Sequence, residues 1–139
     1  MLNRRHLRVK VLQSLYAYFQ TEGGDIAISE RELMNSVDRI YDLYLYLLLT
    51  FEELKRQGVR RIEENKKKIR PKYEDLNPNR KFVENKVIDF LEKHEMLRTN
   101  SENTKVNWIG DEHQEMFRKM YLGMRESETY FEFMNNETE

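Results

Sequence analysis

The chain has 139 residues, 24 Lys/Arg against 25 Asp/Glu for a net charge of −1, and no cysteine, which excludes a disulfide framework, a thiolate zinc site and a cysteine nucleophile. With five Gly, two Pro and 35% charged residues, the composition favours long helices with solvated faces over a sheet that needs frequent tight turns. The small total hides an uneven distribution, +5 over residues 1–72 and −6 over 73–139, so the first part suits an anionic partner and the second suits solubility or self-docking.

In chain order, the first predicted helix covers residues 3–20. Asn3 is a suitable N-cap, and Leu7, Val11, Leu12, Leu15, Tyr16 and Phe19 recur at three- and four-residue steps that place them on one face. The Gly23-Gly24 pair then ends the helix. Ser29 with Glu32 three residues later reads as a capping box and predicts a second helix from 29 to about 68. It carries Leu33, Val37, Ile40, Tyr41, Tyr44, Leu45, Leu47, Leu48, Phe51 and Leu54, and its dense apolar run predicts packing on more than one side. Gly58 marks a bend or break, and Pro71 and Asn77-Pro78-Asn79 interrupt the pattern.

A third helix is expected over residues 80–97, with Phe82, Val83, Val87, Phe90 and Leu91 as its apolar stripe, followed by a loop over 99–104. A fourth spans 111–125 with Met116, Phe117, Met120, Tyr121 and Met124 inward, and residues 128–134 form a short fifth. The expected fold is therefore all-α: a helical bundle of about four to five helices with one long central helix, a single domain over 1–134, and a frayed tail over 135–139. No run approaches the roughly 18 apolar residues of a membrane span, and no hydrophobic segment of a secretory signal follows the basic start, so a cytoplasmic protein with no membrane partner is expected.

The chemistry-bearing clusters are basic. Arg4, Arg5, Arg8 and Lys10 stand at the start of helix 1 with no acid before Glu22, against the preference of the helix dipole for acids there. Arg4 and Arg8 share a face with Arg5 beside them, an arrangement suited to consecutive phosphates, with Tyr16 offering a ring for stacking; the other reading is a set of solvated arginines at a helix end. A second cluster sets Arg56, Arg60 and Lys67 along one side of helix 2, either as a secondary RNA contact or as a solvated helix end. Tyr41, Tyr44 and Tyr46 read either as an RNA-stacking platform or interaction surface or, as such a stripe more often is, as core at Tyr41 and Tyr44, with Tyr46 off their stripe and exposed. His6, His94 and His113 are scattered, and no Gly-rich phosphate loop or serine-nucleophile motif occurs, so neither a metal site, a cofactor nor an enzyme is expected.

Arg4-Arg5-x-x-Arg8 followed by Leu12-Gln13-Ser14-Leu15-Tyr16-Ala17-Tyr18 resembles the opening helix of the transcription antitermination factor NusB family. With the Tyr41 to Leu47 stretch and the Asp75 to Asn79 linker, the chain is similar to the N-terminal part of the longer NusB variant found in Bacteroidetes. The resemblance is specific over about the first 20 residues and looser to about residue 95. It implies a non-catalytic, all-helical protein that binds single-stranded boxA-type RNA of ribosomal leader transcripts, with ribosomal protein NusE and the transcription elongation complex as partners. Its basic RNA-contacting start falls on Arg4, Arg5 and Arg8, and its helix-1 tyrosine on Tyr16. The family's lysine-rich Asn-Glu-Ala segment and its Phe-Val-Asn-Gly segment do not occur here. A second reading is a helical interaction scaffold in which helix 1 docks onto a partner or onto a second copy as a homodimer, its arginines meeting acids of the negative half.

Overall fold

The computed structural model describes residues 3–136, and these contain seven helices and no strand. The protein is all-α, with seven helices where four to five were expected, and the long helix is present. Contacts divide the chain into two compact units, Met1–Tyr44 and Leu45–Glu139. The long helix gives its first part to one and its second to the other.

The first unit holds α1 (Arg4–Gln20) and the start of α2 (Ile26–Lys66). Asn3 caps α1 as its side chain accepts from the Arg5 N–H at 3.0 Å. Gly23 in the left-handed region (φ +74°) makes the turn. The start of α2 departs from the capping-box expectation. Asp25 accepts from the Ala27 N–H at 2.8 Å, so the helix begins three residues before Ser29. Ser29 is thereby interior to the helix, and its carbonyl accepts from the Ser14 hydroxyl at 3.4 Å. The predicted apolar face of helix 1 is not a buried face: Leu7, Val11, Leu12, Leu15, Tyr16 and Phe19 are all exposed, and α1 has no buried residue. Periodicity put these side chains on one side of the helix, but burial requires an opposing surface, and the unit supplies almost none.

The second unit contains the remaining helices: α3 (Tyr73–Leu76), α4 (Lys86–Lys93), α5 (Glu95–Thr104), α6 (Asp111–Arg125) and α7 (Glu128–Asn135). Its core has two clusters. Leu45, Leu97 and Val106 form one, with Tyr46, Leu48, Leu49 and Leu91 against it. Leu54, Phe117 and Tyr121 form the other, with Phe82, Trp108 and Met124. Phe117 is fully buried, and removing a side chain of that size from water stabilises by roughly 1.5–3 kcal/mol.

Several expectations are corrected here. The helix predicted over 80–97 is broken: Asn85 accepts from the Val87 and Ile88 N–H groups and starts α4, and extended backbone at His94 separates α4 from α5. This new register turns Ile88 inward and leaves Val87 and Phe90 exposed. The predicted 99–104 loop is instead the second half of α5. It ends at Lys105 in the left-handed region (φ 57°), where the Val106 N–H reaches back to the Ser101 carbonyl at 2.9 Å and folds Val106 into the core. Lysine carries none of the usual glycine signal for such an end.

Helix α2 runs through Gly58 without a break. A Cβ at Gly58 would lie 2.8 Å from Val83 Cγ1 and 3.3 Å from the Tyr121 hydroxyl, so this glycine answers a packing need. Helix α6 has the bounds expected for it, with Phe117, Tyr121 and Met124 turned inward, while Met116 and Met120 face solvent one position off that stripe. Of the predicted frayed tail, Asn135 closes α7 and Asn136 is its cap; 137–139 lie outside the described residues.

Candidate nucleic-acid interface

Arg4, Arg5 and Arg8 occupy the first two turns of α1, exposed, and Lys10 is half-buried. None of the four makes an ion pair among the described residues. The first turn carries no acid, so the positive end of the helix dipole and three guanidinium groups add in one place. Arg4 and Arg8 are one turn apart on the same side. At about 100° per residue Lys10 points away from Arg8 by about 160°, so it does not extend that cluster. Tyr16 is exposed and lies about 16 Å along the axis from Arg5 on nearly the same azimuth.

The second cluster is differently placed. Arg56 Nη1 donates to Glu53 at 2.6 Å with Glu52 also within 3.9 Å, and Arg60 Nε donates to Glu64 at 3.0 Å. Lys67 lies one residue past the end of α2 rather than on its face. Two nearby cations are likewise taken, Lys55 by Glu92 and Lys68 by Asp75 at 2.8 Å, while Arg61, Lys66, Lys67, Arg70 and Lys72 make no ion pair among the described residues. An RNA phosphate at Arg56 or Arg60 would compete with a carboxylate on the same helix.

The tyrosines exchange roles. Tyr41 and Tyr44, expected in the core, are exposed and stacked on each other with ring centroids 6.4 Å apart in the first unit. Tyr46, expected outside, is half-buried against Trp108 at 4.7 Å, and its carbonyl accepts from the Trp108 indole N–H at 3.0 Å. Helical position alone did not reveal the tryptophan, which arrives from 62 residues away.

A buried polar network in the second unit was not signalled by any motif. Glu53 is 7% exposed. It accepts from Arg56 and from Gln114 Nε2 at 3.2 Å, and Gln114 Oε1 accepts from Gln57 Nε2 at 3.0 Å. Burial raises the neighbouring Glu52 carboxyl above its usual range despite the opposing charge of Arg56. The only hint in the sequence is a Glu53 and Gln57 pair one helical turn apart.

Two of the three histidines serve the backbone. His94 Nδ1 accepts from the Leu97 N–H at the start of α5, and His113 Nδ1 donates to the Ile109 carbonyl at 2.9 Å. Among the described residues no group of three His, Asp or Glu side chains is placed to hold a metal ion, and no helix is long and apolar enough to cross a membrane.

Fold and site together define an all-α protein with an unpaired basic helix start. Compared with protein-family models, curated proteins and solved structures, the chain matches none.

Proposed function

We propose that this chain is an RNA-binding module of the NusB kind, acting in transcription antitermination by binding and without catalysis. In this reading Arg4, Arg5 and Arg8 take consecutive phosphates of a single-stranded boxA-type RNA, and Tyr16 stacks on a base further along. Lys10, Arg56, Arg60 and Lys67 are peripheral, adding long-range attraction. NusE and the elongation complex are the protein partners, and the cytoplasm is the site of action.

The observation that carries the reading is the contrast between the two basic clusters. Lys55, Arg56 and Arg60 of helix α2 and Lys68 on its flank are held by Glu92, Glu53, Glu64 and Asp75, whereas the cations of α1 have no acid beside them. Keeping three arginines unpaired at the unfavourable end of a helix costs a few tenths of a kcal/mol each. An anionic partner removes that cost and releases the counterions held by the RNA.

The test is fluorescence anisotropy with a labelled boxA-type RNA across a potassium chloride series. Three phosphate contacts to a single strand contribute about −2 to the log–log salt slope, so replacing Arg4, Arg5 and Arg8 by Ala flattens the slope by about 2. An unchanged slope refutes the assignment. Tyr16→Ala weakens binding by about 1–3 kcal/mol with the slope kept, since stacking releases no counterions.

A further inference from the structure

A cavity of about 450 Å³ lies wholly within the second unit, beside the contact of α2 with α6. At Gly58 the two helices come so close that a Cβ would stand 3.3 Å from the Tyr121 hydroxyl. Arg61 follows Gly58 by one turn of α2, and Arg125 follows Tyr121 by one turn of α6. Both arginines and Tyr121 line the cavity together with Asn65, Tyr130 and Phe131. Arg125 is near enough for its charge to act on the Tyr130 hydroxyl. The volume falls in the range of small-molecule sites, roughly 300–1,000 Å³.

The cavity holds donors that the chain itself does not use. Among the described residues the guanidinium groups of Arg61 and Arg125 make no ion pair and no hydrogen bond, although Glu74 and Asp75 line the same cavity. Asp75 has both oxygens occupied, one by Lys68 at 2.8 Å and the other by the Lys72 N–H at 3.0 Å. That leaves Glu74 as the free carboxylate lining the cavity, against two free guanidinium groups. Tyr121 is 7% exposed, and its hydroxyl accepts from that of Tyr130. Burial, and then this bond, hold the Tyr130 hydroxyl above its usual range, so it stays protonated as the donor. The Tyr121 proton then has no acceptor among the described residues, which makes it a buried donor at the cavity wall. Phe131 adds an exposed ring.

We propose that this cavity takes the phosphate monoester of a nucleotide, as a free mononucleotide or as the phosphorylated end of a strand. Arg61 and Arg125 hold the phosphate from two helices through forked, charge-assisted hydrogen bonds, and the Tyr121 hydroxyl donates a further one. A monoester carries about −1.5 to −2 at neutral pH, which two guanidinium groups neutralise, whereas an internal phosphodiester carries a single charge. Phe131 stacks on the base, and Glu74 accepts from a ribose hydroxyl. The site is distinct from the basic start of α1, and the inference does not rest on the RNA reading made for that helix.

Isothermal titration calorimetry of the whole chain tests it, with uridine 5′-monophosphate, uridine and inorganic phosphate as probes. The nucleotide binds with a dissociation constant below about 1 mM, and uridine, which lacks the phosphate, binds at least about tenfold more weakly. Arg61→Ala and Arg125→Ala each weaken the nucleotide by at least about tenfold. Both side chains are exposed, and far-UV circular dichroism checks that helicity is kept. Phe131→Ala weakens the nucleotide and leaves inorganic phosphate unchanged. Replacing Arg4, Arg5 and Arg8 by Ala leaves nucleotide binding intact, which separates this site from the one on α1. A short RNA with a 5′-phosphate that binds more tightly than its 5′-hydroxyl counterpart, with the difference lost in Arg61→Ala, makes the strand end the ligand. Equal binding of the two RNAs, with the mononucleotide still bound, makes it the free nucleotide. No nucleotide binding at about 10 mM, uridine or inorganic phosphate binding as tightly as the nucleotide, wild-type affinity in either arginine variant, or loss on changing α1 overturns the proposal.

Discussion

Two glycines in helices of the second unit make an internal control on what packing does to a backbone rule. Gly58 lies in α2 and Gly123 in α6. By helix propensity alone, alanine at either site stabilises by about 0.5–1 kcal/mol, because the unfolded chain loses freedom and the helix gains a better former. Nothing lies within 4 Å of a Cβ built on Gly123, so Gly123→Ala realises that gain, less some fraying near the helix end. At Gly58 the new methyl meets Val83 Cγ1 at 2.8 Å, the Tyr121 hydroxyl at 3.3 Å and Phe82 Cδ1 at 3.4 Å. Val83 and Tyr121 are buried, so neither swings away freely.

Overpacking of this kind costs about 1–3 kcal/mol and at least offsets the propensity gain, so Gly58→Ala destabilises by a net of about 0–2.5 kcal/mol. Urea denaturation followed by tryptophan fluorescence reads both, since Trp108 is the sole tryptophan and lies against Phe117 in the affected core. A companion Val83→Ala removes the clashing methyl, so adding Gly58→Ala to it costs less than adding it to the wild type. Stabilisation by Gly58→Ala equal to that by Gly123→Ala would refute the packing argument.

Phe117→Ala, at the most buried aromatic ring, costs about 3–5 kcal/mol in the same denaturation and quenches or shifts the Trp108 emission by removing its edge-on neighbour at 5.2 Å. Gln114→Ala strips Glu53 of one donor and leaves the amide of Gln57 without its acceptor, for a loss of about 1–3 kcal/mol. Hydrogen bonds from Lys68 and from the Lys72 backbone hold the Asp75 carboxyl below its usual range. A carboxyl with a depressed native value contributes stability that is complete above its unfolded value near 3.8 and is lost as pH falls through the native one. The protection of α3 amides, taken as the exchange rate of the unfolded peptide over that of the native chain at the same pH, therefore falls below about pH 4 in the wild type, and Asp75→Asn shows that lower protection already at neutral pH.

Features that depend on neighbours within a few residues are legible in the chain alone. The all-α class follows from the scarcity of Gly and Pro, the Asn3 cap opens α1, and the bounds of α6 coincide with its apolar period. The basic stretch was visible for the same reason, since an acid-free run of cations needs no partner to be noticed. Tertiary structure decided what those stretches meet. Tyr46 rather than Tyr41 or Tyr44 is covered because Trp108 packs on it. The 80–97 pattern splits at Asn85 and His94 because caps there satisfy backbone groups that one continuous helix would have paired differently. The stripe of α1 remains in water because amphipathic spacing states only that a face is apolar, and burial needs a second surface that the spacing does not contain. The arginines of the two basic clusters differ already in sequence, because Arg56 and Arg60 have Glu53 and Glu64 within one turn and Arg4, Arg5 and Arg8 have no acid, and the structure shows those local pairs formed.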